Sequence, residues 1–416
     1  MNWTRRIYKY RCCNCNNEDK RGRICGNRYK KDKMTTAYKL HLYPNKQQTE
    51  KLEFALDTCR QAYNFMLGAL GEQAVIDRNR IQAILPDLKI CEPRFREVYS
   101  KALQYECYRL FSNLSALSVL KKKGRKVGAL RFKGKGWFKT ITYNQSGFSL
   151  EHTYKKNGRL KLSKVGDIKV KMHRQIEGNI KQTTIKKETD KWFAFVITDG
   201  ITKLEHGNKV LGIDLGINNY LVDSEGNKVE HPKHYEEMLP KLRKAHKNLS
   251  KKKRGSKNRN KARKSLSKVY EKLNNQRNDF LHKTTTDLIK KSKIICVEDL
   301  NIKVMMMQKY FNAKNIADSS WNRFIQILEY KAENAGVQVI KVNPKNTTKL
   351  CSNCGAMKSM HLWDRTYRCA ECGYEANRDE NSAINILGKG LAFVEMMSDF
   401  PSGKQLSMKQ EAITST

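Results

Sequence analysis

The sequence predicts a multidomain α+β protein, and three observations carry that prediction. An N-terminal stretch of strand-like alternation encloses a segment of helical period. Two later apolar strands each end in a carboxylate. Two Cys-x-x-Cys pairs then stand between the last strand and a closing helix. A chain of 416 residues has room for about two to four domains.

Taken in order, residues 37–42 alternate as a strand, and helices are predicted from about Lys46 to Gly71 and from Glu92 to Leu120. Leu52, Leu56, Cys59, Ala62, Tyr63 and Met66 recur at helical spacing and read as core. From Ala129 onward short antiparallel strands are expected, separated by Gly and Asn turns. Residues 208–223, NKVLGIDLGINNYLVD, give an apolar strand interrupted by Asp214, and a hairpin continues to Val229 through a turn at Ser224-Glu225-Gly226. A carboxylate inside a buried strand is costly unless it binds something. Residues 293–300, KIICVEDL, repeat the device with Glu298 and Asp299 at the strand end. A helix over 320–335 and a strand over 337–342 lead to the cysteines, and a helix from Asn377 to Leu387 opens with Asp379.

Cys351 and Cys354 are two residues apart, as are Cys369 and Cys372, with fourteen residues between the pairs. Such pairs place four thiolates around one tetrahedral zinc ion. Each pair is followed by Gly (Gly355, Gly373), which permits the positive φ of a tight metal knuckle. A redox role is disfavoured, because no thioredoxin-like strand and helix follow either pair. Cys59, Cys91, Cys107 and Cys296 stand singly in apolar segments and read as core thiols of a reducing compartment.

Charge narrows the partner. Lys and Arg number 82 against 41 acids, a net charge of +41. A polyanion, and specifically nucleic acid, is the expected partner. No apolar run of about 18 residues and no signal-peptide core is visible, so a soluble, intracellular chain without a membrane is expected. Residues 241–264 hold 13 Lys or Arg and no acid, and read as a basic helix, a Gly255-Ser256 turn and a second helix. Lys251, Lys252, Lys253, Arg254, Lys257, Arg259, Lys261, Arg263 and Lys264 are the candidate phosphate contacts there, since such a run repels itself unless phosphates lie nearby. Arg131, Lys133 and Lys135 alternate with Phe132 and Trp137, a pattern that suits RNA stacking, although a barrel core accounts equally well for the two aromatics. His282 reads as a packing or phosphate-contact residue rather than a general base.

With these residues in view, AYKLHLYPNKQQTEKL, LRFKGKGWFKTITY, GIDLGINNYLV, QRNDFLHK, VEDLNI and CSNCG…CGYEANRDENSAINI, in this order, resemble the TnpB (OrfB) family of transposon-associated RNA-guided endonucleases. Miniature type V CRISPR effectors share the catalytic half and are similar too. The resemblance runs from about Thr35 to Leu387. It implies a RuvC-like, RNase H-fold nuclease over 207–350 and 374–390, with a zinc ribbon at 351–373 binding target nucleic acid. It further implies a wedge β-barrel over 34–46 and 128–206, enclosing a helical recognition domain at 47–127. Asp214, Glu298 and Asp379 would be the catalytic trio, Glu298 being preferred to its neighbour Asp299 because adjacent strand residues face opposite ways and the family motif places its acid there. Three such acids point to phosphodiester hydrolysis with two Mg²⁺ ions about 4 Å apart, Asp214 bridging both and one structural Zn²⁺ in the ribbon.

The expected partners are a guide RNA from the chain's own locus and double-stranded DNA bearing a short flanking motif. The expected setting is a bacterial or archaeal cytoplasm, nucleoid-associated, with a monomer expected and a dimer as the alternative. Three rival readings remain open: a CRISPR effector, a guided DNA-binding regulator without cleavage, and a DNA transposase. Residues 1–33, with Cys12, Cys13, Cys15 and Cys25, depart from the family and are expected to be an unstructured extension rather than a second zinc site; residues 391–416 are expected to be a flexible tail.

Overall fold

The computed structural model describes residues 35–72, 76–153, 156–200, 204–307, 313–361 and 363–398. The N-terminal cysteines and residues 399–416 lie outside these. Strand β1 (Thr36–Tyr43) leads into α1 (Lys46–Glu72), α2 (Arg78–Cys91) and α3 (Ser100–Lys122). The chain then returns as β2 (Thr140–Asn144), β3 (Phe148–His152), β4 (Asn157–Leu162), β5 (Gly166–Lys171), β6 (Ile180–Glu188) and β7 (Lys191–Thr198). These seven strands form one antiparallel sheet in the order β2-β6-β7-β1-β5-β4-β3.

The two outermost strands are consecutive in the chain, joined by the three-residue turn Gln145–Gly147. Laid flat, they would stand about 29 Å apart, six gaps of about 4.8 Å. A three-residue link spans at most about 14 Å. The sheet therefore curls round until its edges meet, enclosing Tyr38, Leu40, Ile168, Ala194 and Val196. The helical stripe read from the sequence is buried in full, with Leu52, Cys59, Tyr63 and Met66 at 0% exposure.

Four readings need correction here. Helix α2 is absent from the sequence expectation, because Pro86 inside it looks like a helix breaker; burial of Ile81 and Leu85 and the Asp77 cap on Asn79 N–H hold it nonetheless. The expected helix from Glu92 is instead a 3-10 turn at Pro93–Glu97 before α3. Strand structure begins at Thr140 rather than Ala129, and Cys91 is exposed rather than core.

The C-terminal half runs β8 (Lys209–Leu215), β9 (Asn219–Asp223), β10 (Lys228–Glu230), α4 (His234–Ser250), α5 (Lys257–Lys291), β11 (Ser292–Glu298), α6 (Ile302–Met307), α7 (Ala313–Ser319), α8 (Trp321–Ala335), β12 (Gln338–Val342), β13 (Thr366–Arg368), β14 (Glu375–Asn377) and α9 (Arg378–Ser398). Five strands form a mixed sheet in the order β10-β9-β8-β11-β12, with β11 parallel to both β8 and β12. Alternation along β11 separates two cores. Ile295 and Val297 pack with Phe324 and Leu328 of α8, whereas Cys296 packs with Ile386 of α9.

The tail expectation is overturned in part, because α9 continues to Ser398 and packs Phe393 and Val394 against Cys296, Ile340 and Val342. The two halves meet where the β6–β7 turn docks on α5. Asp190 pairs with Lys264 and Lys268 at 3.2 Å each, and Lys191 pairs with Glu271 at 2.9 Å.

Candidate active site

Strand register brings the first two acids together. Ile213 of β8 stands opposite Val297 of β11 in a parallel ladder, so Asp214 and Glu298 are the next residues along neighbouring strands and share a face. Asp299 is exposed, and its backbone N–H bonds Val342 O at 2.9 Å. Helix α9 crosses the same end of the sheet and carries Asp379 in its first turn.

Its approach to β8 is close enough that a Cβ on Gly212 would stand 2.1 Å from Ala383 O. The first Gly of the GIDLG segment is thus required by packing, because no side chain fits between strand and helix.

Electrostatics registers the convergence. Asp214 is pushed up to about 8, first by burial and then by the negative charges of Glu298 and Asp379. Burial also raises Glu298, against the opposing effects of a hydrogen bond from Thr347 and the charge of Lys389. Thr347 Oγ1 donates to Glu298 Oε1 at 2.5 Å, and Arg378 Nη2 lies 3.3 Å from Asp379 Oδ1.

The donors of this trio are all carboxylate oxygens. That hard set suits Mg²⁺ rather than a thiophilic metal, and crowded anions in a half-buried pocket fit a divalent cation. The three acids are not drawn as tightly as the cysteines. Among the described residues, the Sγ atoms of Cys351, Cys354, Cys369 and Cys372 form the one metal-competent group whose donor atoms all lie within 4.8 Å of one another.

The cysteine site has the shape its spacing predicts. Gly355 and Gly373 adopt φ of 77° and 71°, closing both knuckles. The Cys372 thiol is pulled down to about 6, first by the Tyr374 backbone N–H and then by the Asn353 side chain, while the Cys354 thiol beside it is raised to about 12, so the four thiols do not all ionise on their own. The local core is small, consisting of Cys351, Tyr367 and Cys369 with Ala356, Met360 and Tyr374 against them. So small a core fits a site that a metal would hold together. Cys372→Ser is expected to lower bound zinc by one equivalent per chain, read by elemental analysis, and to open residues 352–371 to protease. Unchanged zinc content would rule the site out.

The basic candidates divide. Arg131, Lys135, Lys251, Lys252, Lys253, Arg254, Lys257, Lys261, Arg263 and Lys264 are exposed, so their solvent side can meet phosphates. Lys264 is also engaged with Asp190. Arg259 is half-buried and staples the α4–α5 turn, donating to Leu249 O at 3.1 Å and Lys252 O at 2.8 Å. The backbone of Lys133 is gripped by Asn64, which accepts from its N–H at 2.8 Å and donates to its carbonyl at 3.0 Å. The barrel-core alternative fails for Phe132 and Trp137, which are 66% and 67% exposed, while Phe138 takes the core position. His282 lies against Tyr330, and its carbonyl accepts from Lys331 at 2.6 Å, a packing role.

Three family models match the chain: a probable transposase of the OrfB type over residues 182–308, a Cas12f1-like TNB domain over 321–386, and a helix-turn-helix domain over 34–73. The chain resembles the TnpB (OrfB) family in each of these three segments. A Streptomyces pristinaespiralis relative, provisionally named an RNA-guided DNA endonuclease, is 29% identical over 370 residues, covering 86% of this chain and 89% of its own length. The Escherichia coli K12 protein InsQ, with the same provisional description, is 29% identical over 298 residues, covering 68% of this chain and 73% of its own. A solved Cas12f1 complex with single guide RNA and target DNA shares the fold at a TM-score of 0.58 and 16% identity, covering 85% of this chain and 98% of that one.

Sequence reasoning missed the residues that hold the trio in place. Thr347, Arg378, Asn381, Asn385 and Lys389 are among them. Asn381 and Asn385 carried a readable signal, since two amides four residues apart on one helix face call for partners.

Proposed function

We propose that this chain is an RNA-guided DNA endonuclease with a single RuvC-like site. The carrying observation is the meeting of Asp214, Glu298 and Asp379 from β8, β11 and α9, where mutual charge and burial raise Asp214 to about 8. Perturbed, converging carboxylates mark a functional site. The names of its relatives supply the guide RNA and the DNA target. Asp214, Glu298 and Asp379 would hold Mg²⁺, which when bound supplies an activated nucleophile and a neutralised leaving oxygen.

The chain's own contribution is placement. The parallel register fixes the spacing between Asp214 and Glu298, Thr347 orients Glu298, and the burial of the trio removes competing water contacts. The four cysteines would hold one structural Zn²⁺ in a ribbon that presents the substrate strand to the acids. The curled seven-strand sheet corresponds to the wedge domain, with α1 to α3 as the recognition domain. The exposed cations around 131–135 and 251–263 track guide and target phosphates. Base pairing reads sequence, and the protein reads a short flanking motif in a bacterial or archaeal cytoplasm. Among the described residues no helix is long and apolar enough to cross a membrane.

The test is co-purification of the full chain with RNA from its own locus, followed by cleavage of matched and mismatched plasmids in Mg²⁺. Cutting that follows the RNA match and is lost in Asp214→Ala is the expected result. RNA-dependent binding without cutting by wild type would replace the nuclease with a guided regulator, and joining of transposon ends without RNA would replace it with a transposase.

A further inference from the structure

One face of α9 is polar at every fourth residue, and each residue of that stripe grips the same loop. Asn381, fully buried, accepts from Ser352 N–H at 2.9 Å and donates to Leu350 O at 2.8 Å. These two groups flank Cys351. Asn385 donates to Leu350 O at 2.7 Å and to Thr347 O at 2.9 Å. Lys389 donates to Lys345 O at 2.5 Å. Spacings of four place all three on one side of the helix, so α9 clasps the loop from 343 to 352 along its length.

The same loop reaches the acidic centre at its other edge. Thr347, 2% exposed, donates to Glu298 at 2.5 Å, while the helix that holds the loop begins with Asp379. Zinc knuckle, Glu298 and Asp379 are therefore linked through two amides, one hydroxyl and a single helix.

We infer that Asn381, Asn385 and Thr347 are positioning residues that couple the cysteine site to the acidic centre, so that occupancy of the four thiols sets where Glu298 and Asp379 stand. This rests on the reading of both sites given above. The physical argument is that buried amides bonded at both ends tolerate little displacement. A shift of the Cys351 knuckle removes partners from Asn381 and must be followed by α9 or by loss of those bonds. Because Asn381 lies two residues beyond Asp379, movement of that helical turn moves the carboxylate. Coupling of binding free energies is reciprocal. Divalent cations at the acids must in turn tighten the hold on zinc, and slower zinc loss is the expected sign of it.

The experiment uses the full-length, zinc-loaded chain and two readouts that do not depend on cleavage. Mn²⁺ binding is followed by electron paramagnetic resonance, and zinc transfer to a chromogenic chelator is timed with and without Mg²⁺. Replacing groups that orient metal ligands weakens metal binding about 10- to 100-fold. Asn381→Ala and Thr347→Val are expected to weaken Mn²⁺ binding by about tenfold, with Thr347→Ser restoring most of it. Zinc should leave Asn381→Ala faster than wild type, and Mg²⁺ should slow zinc loss from wild type but not from Asn381→Ala.

Should Asn381→Ala fail to fold, the Thr347→Val and Thr347→Ser pair decides alone. Unchanged Mn²⁺ affinity in Thr347→Val, or wild-type zinc loss indifferent to Mg²⁺, overturns the coupling. A wild type that fails to cut guided DNA while both metal readouts move together removes the nuclease reading and leaves the coupling standing. A wild type that binds no Mn²⁺ removes both.

Discussion

Asp214→Asn is expected to raise the melting temperature of the Mg²⁺-free protein at pH 8 by several degrees, with a much smaller gain at pH 5. The sign follows from the direction of the shift. Asp214 in the folded chain is raised to about 8, and Glu298 is raised as well, so the folded state holds protons that the unfolded state has released. Stability from Asp214 is fully present below its unfolded pKa of about 3.9 and is lost as pH climbs through about 8. An upward shift of this size corresponds to a few kcal/mol at most, since effective protein dielectrics moderate buried charges. The amide keeps the shape and neither ionises nor takes up a proton, so the penalty it relieves grows as pH rises from the unfolded pKa towards about 8.

Divalent cations invert the comparison. On the proposed reading, saturating Mg²⁺ should bind the wild-type trio and stabilise it by mass action, whereas Asp214→Asn should gain little. Melting curves at two pH values, in buffers freed of divalent ions by resin so that the thiol site keeps its zinc, check both arms. A variant no more stable than wild type at pH 8 would show that the acids do not strain one another. The chain has several domains, so the relevant transition is the one that carries the five-stranded sheet.

Much of the acidic centre is legible in the sequence because it lies in local patterns. GIDLG, CVED and NRDEN set one, two and two carboxylates against apolar segments, and the two Cys-x-x-Cys pairs announce their geometry through spacing alone. The strand, strand, helix order and the 255–256 turn also follow from periodicity and Gly placement. What escapes is non-local. The Thr347 to Glu298 bond spans 49 residues and the Asn381 to Ser352 bond spans 29, so no window of sequence contains either pair.

The role of Arg259 escapes for the same reason, since its partners are carbonyls of the preceding helix and turn rather than anything its charge advertises. Helix α2 is hidden because Pro86 outweighs the burial of Ile81 and Leu85, which only the folded chain reveals. The last helix reads short because Gly388 and Gly390 look like a helix stop. Gly390 instead serves close packing, since a Cβ there would stand 2.2 Å from Cys296 Sγ. Curling of the seven-strand sheet is likewise a consequence of topology, visible once the outer strands prove to be chain neighbours.

Gly212→Ala is expected to abolish cleavage more thoroughly than its size would imply, and a second glycine supplies the control. The added methyl would meet Ala383 O at 2.1 Å, Leu387 N at 2.7 Å and Leu387 Cβ at 2.8 Å. Two of these are helix backbone, so the conflict cannot be relieved by turning a side chain. Helix α9 must move away from β8. Overpacking of this kind costs about 1–3 kcal/mol. The functional effect is larger, because the displaced helix carries Asp379, and a shift of about 1 Å in a reacting constellation lowers rate about 100-fold.

Gly388→Ala is that control. Gly388 lies on the same helix as Asp379, and a methyl added there meets no atom within 4 Å. Replacing an unhindered helical Gly should stabilise by about 0.5–1 kcal/mol. The pair thus separates helix propensity from helix position. Cleavage lost in Gly212→Ala and kept in Gly388→Ala, with zinc content equal in both, would locate the requirement in the contact between α9 and β8. Equal cleavage by both variants would mean that the acids tolerate movement of α9, and the role given to Asp379 would fall with it.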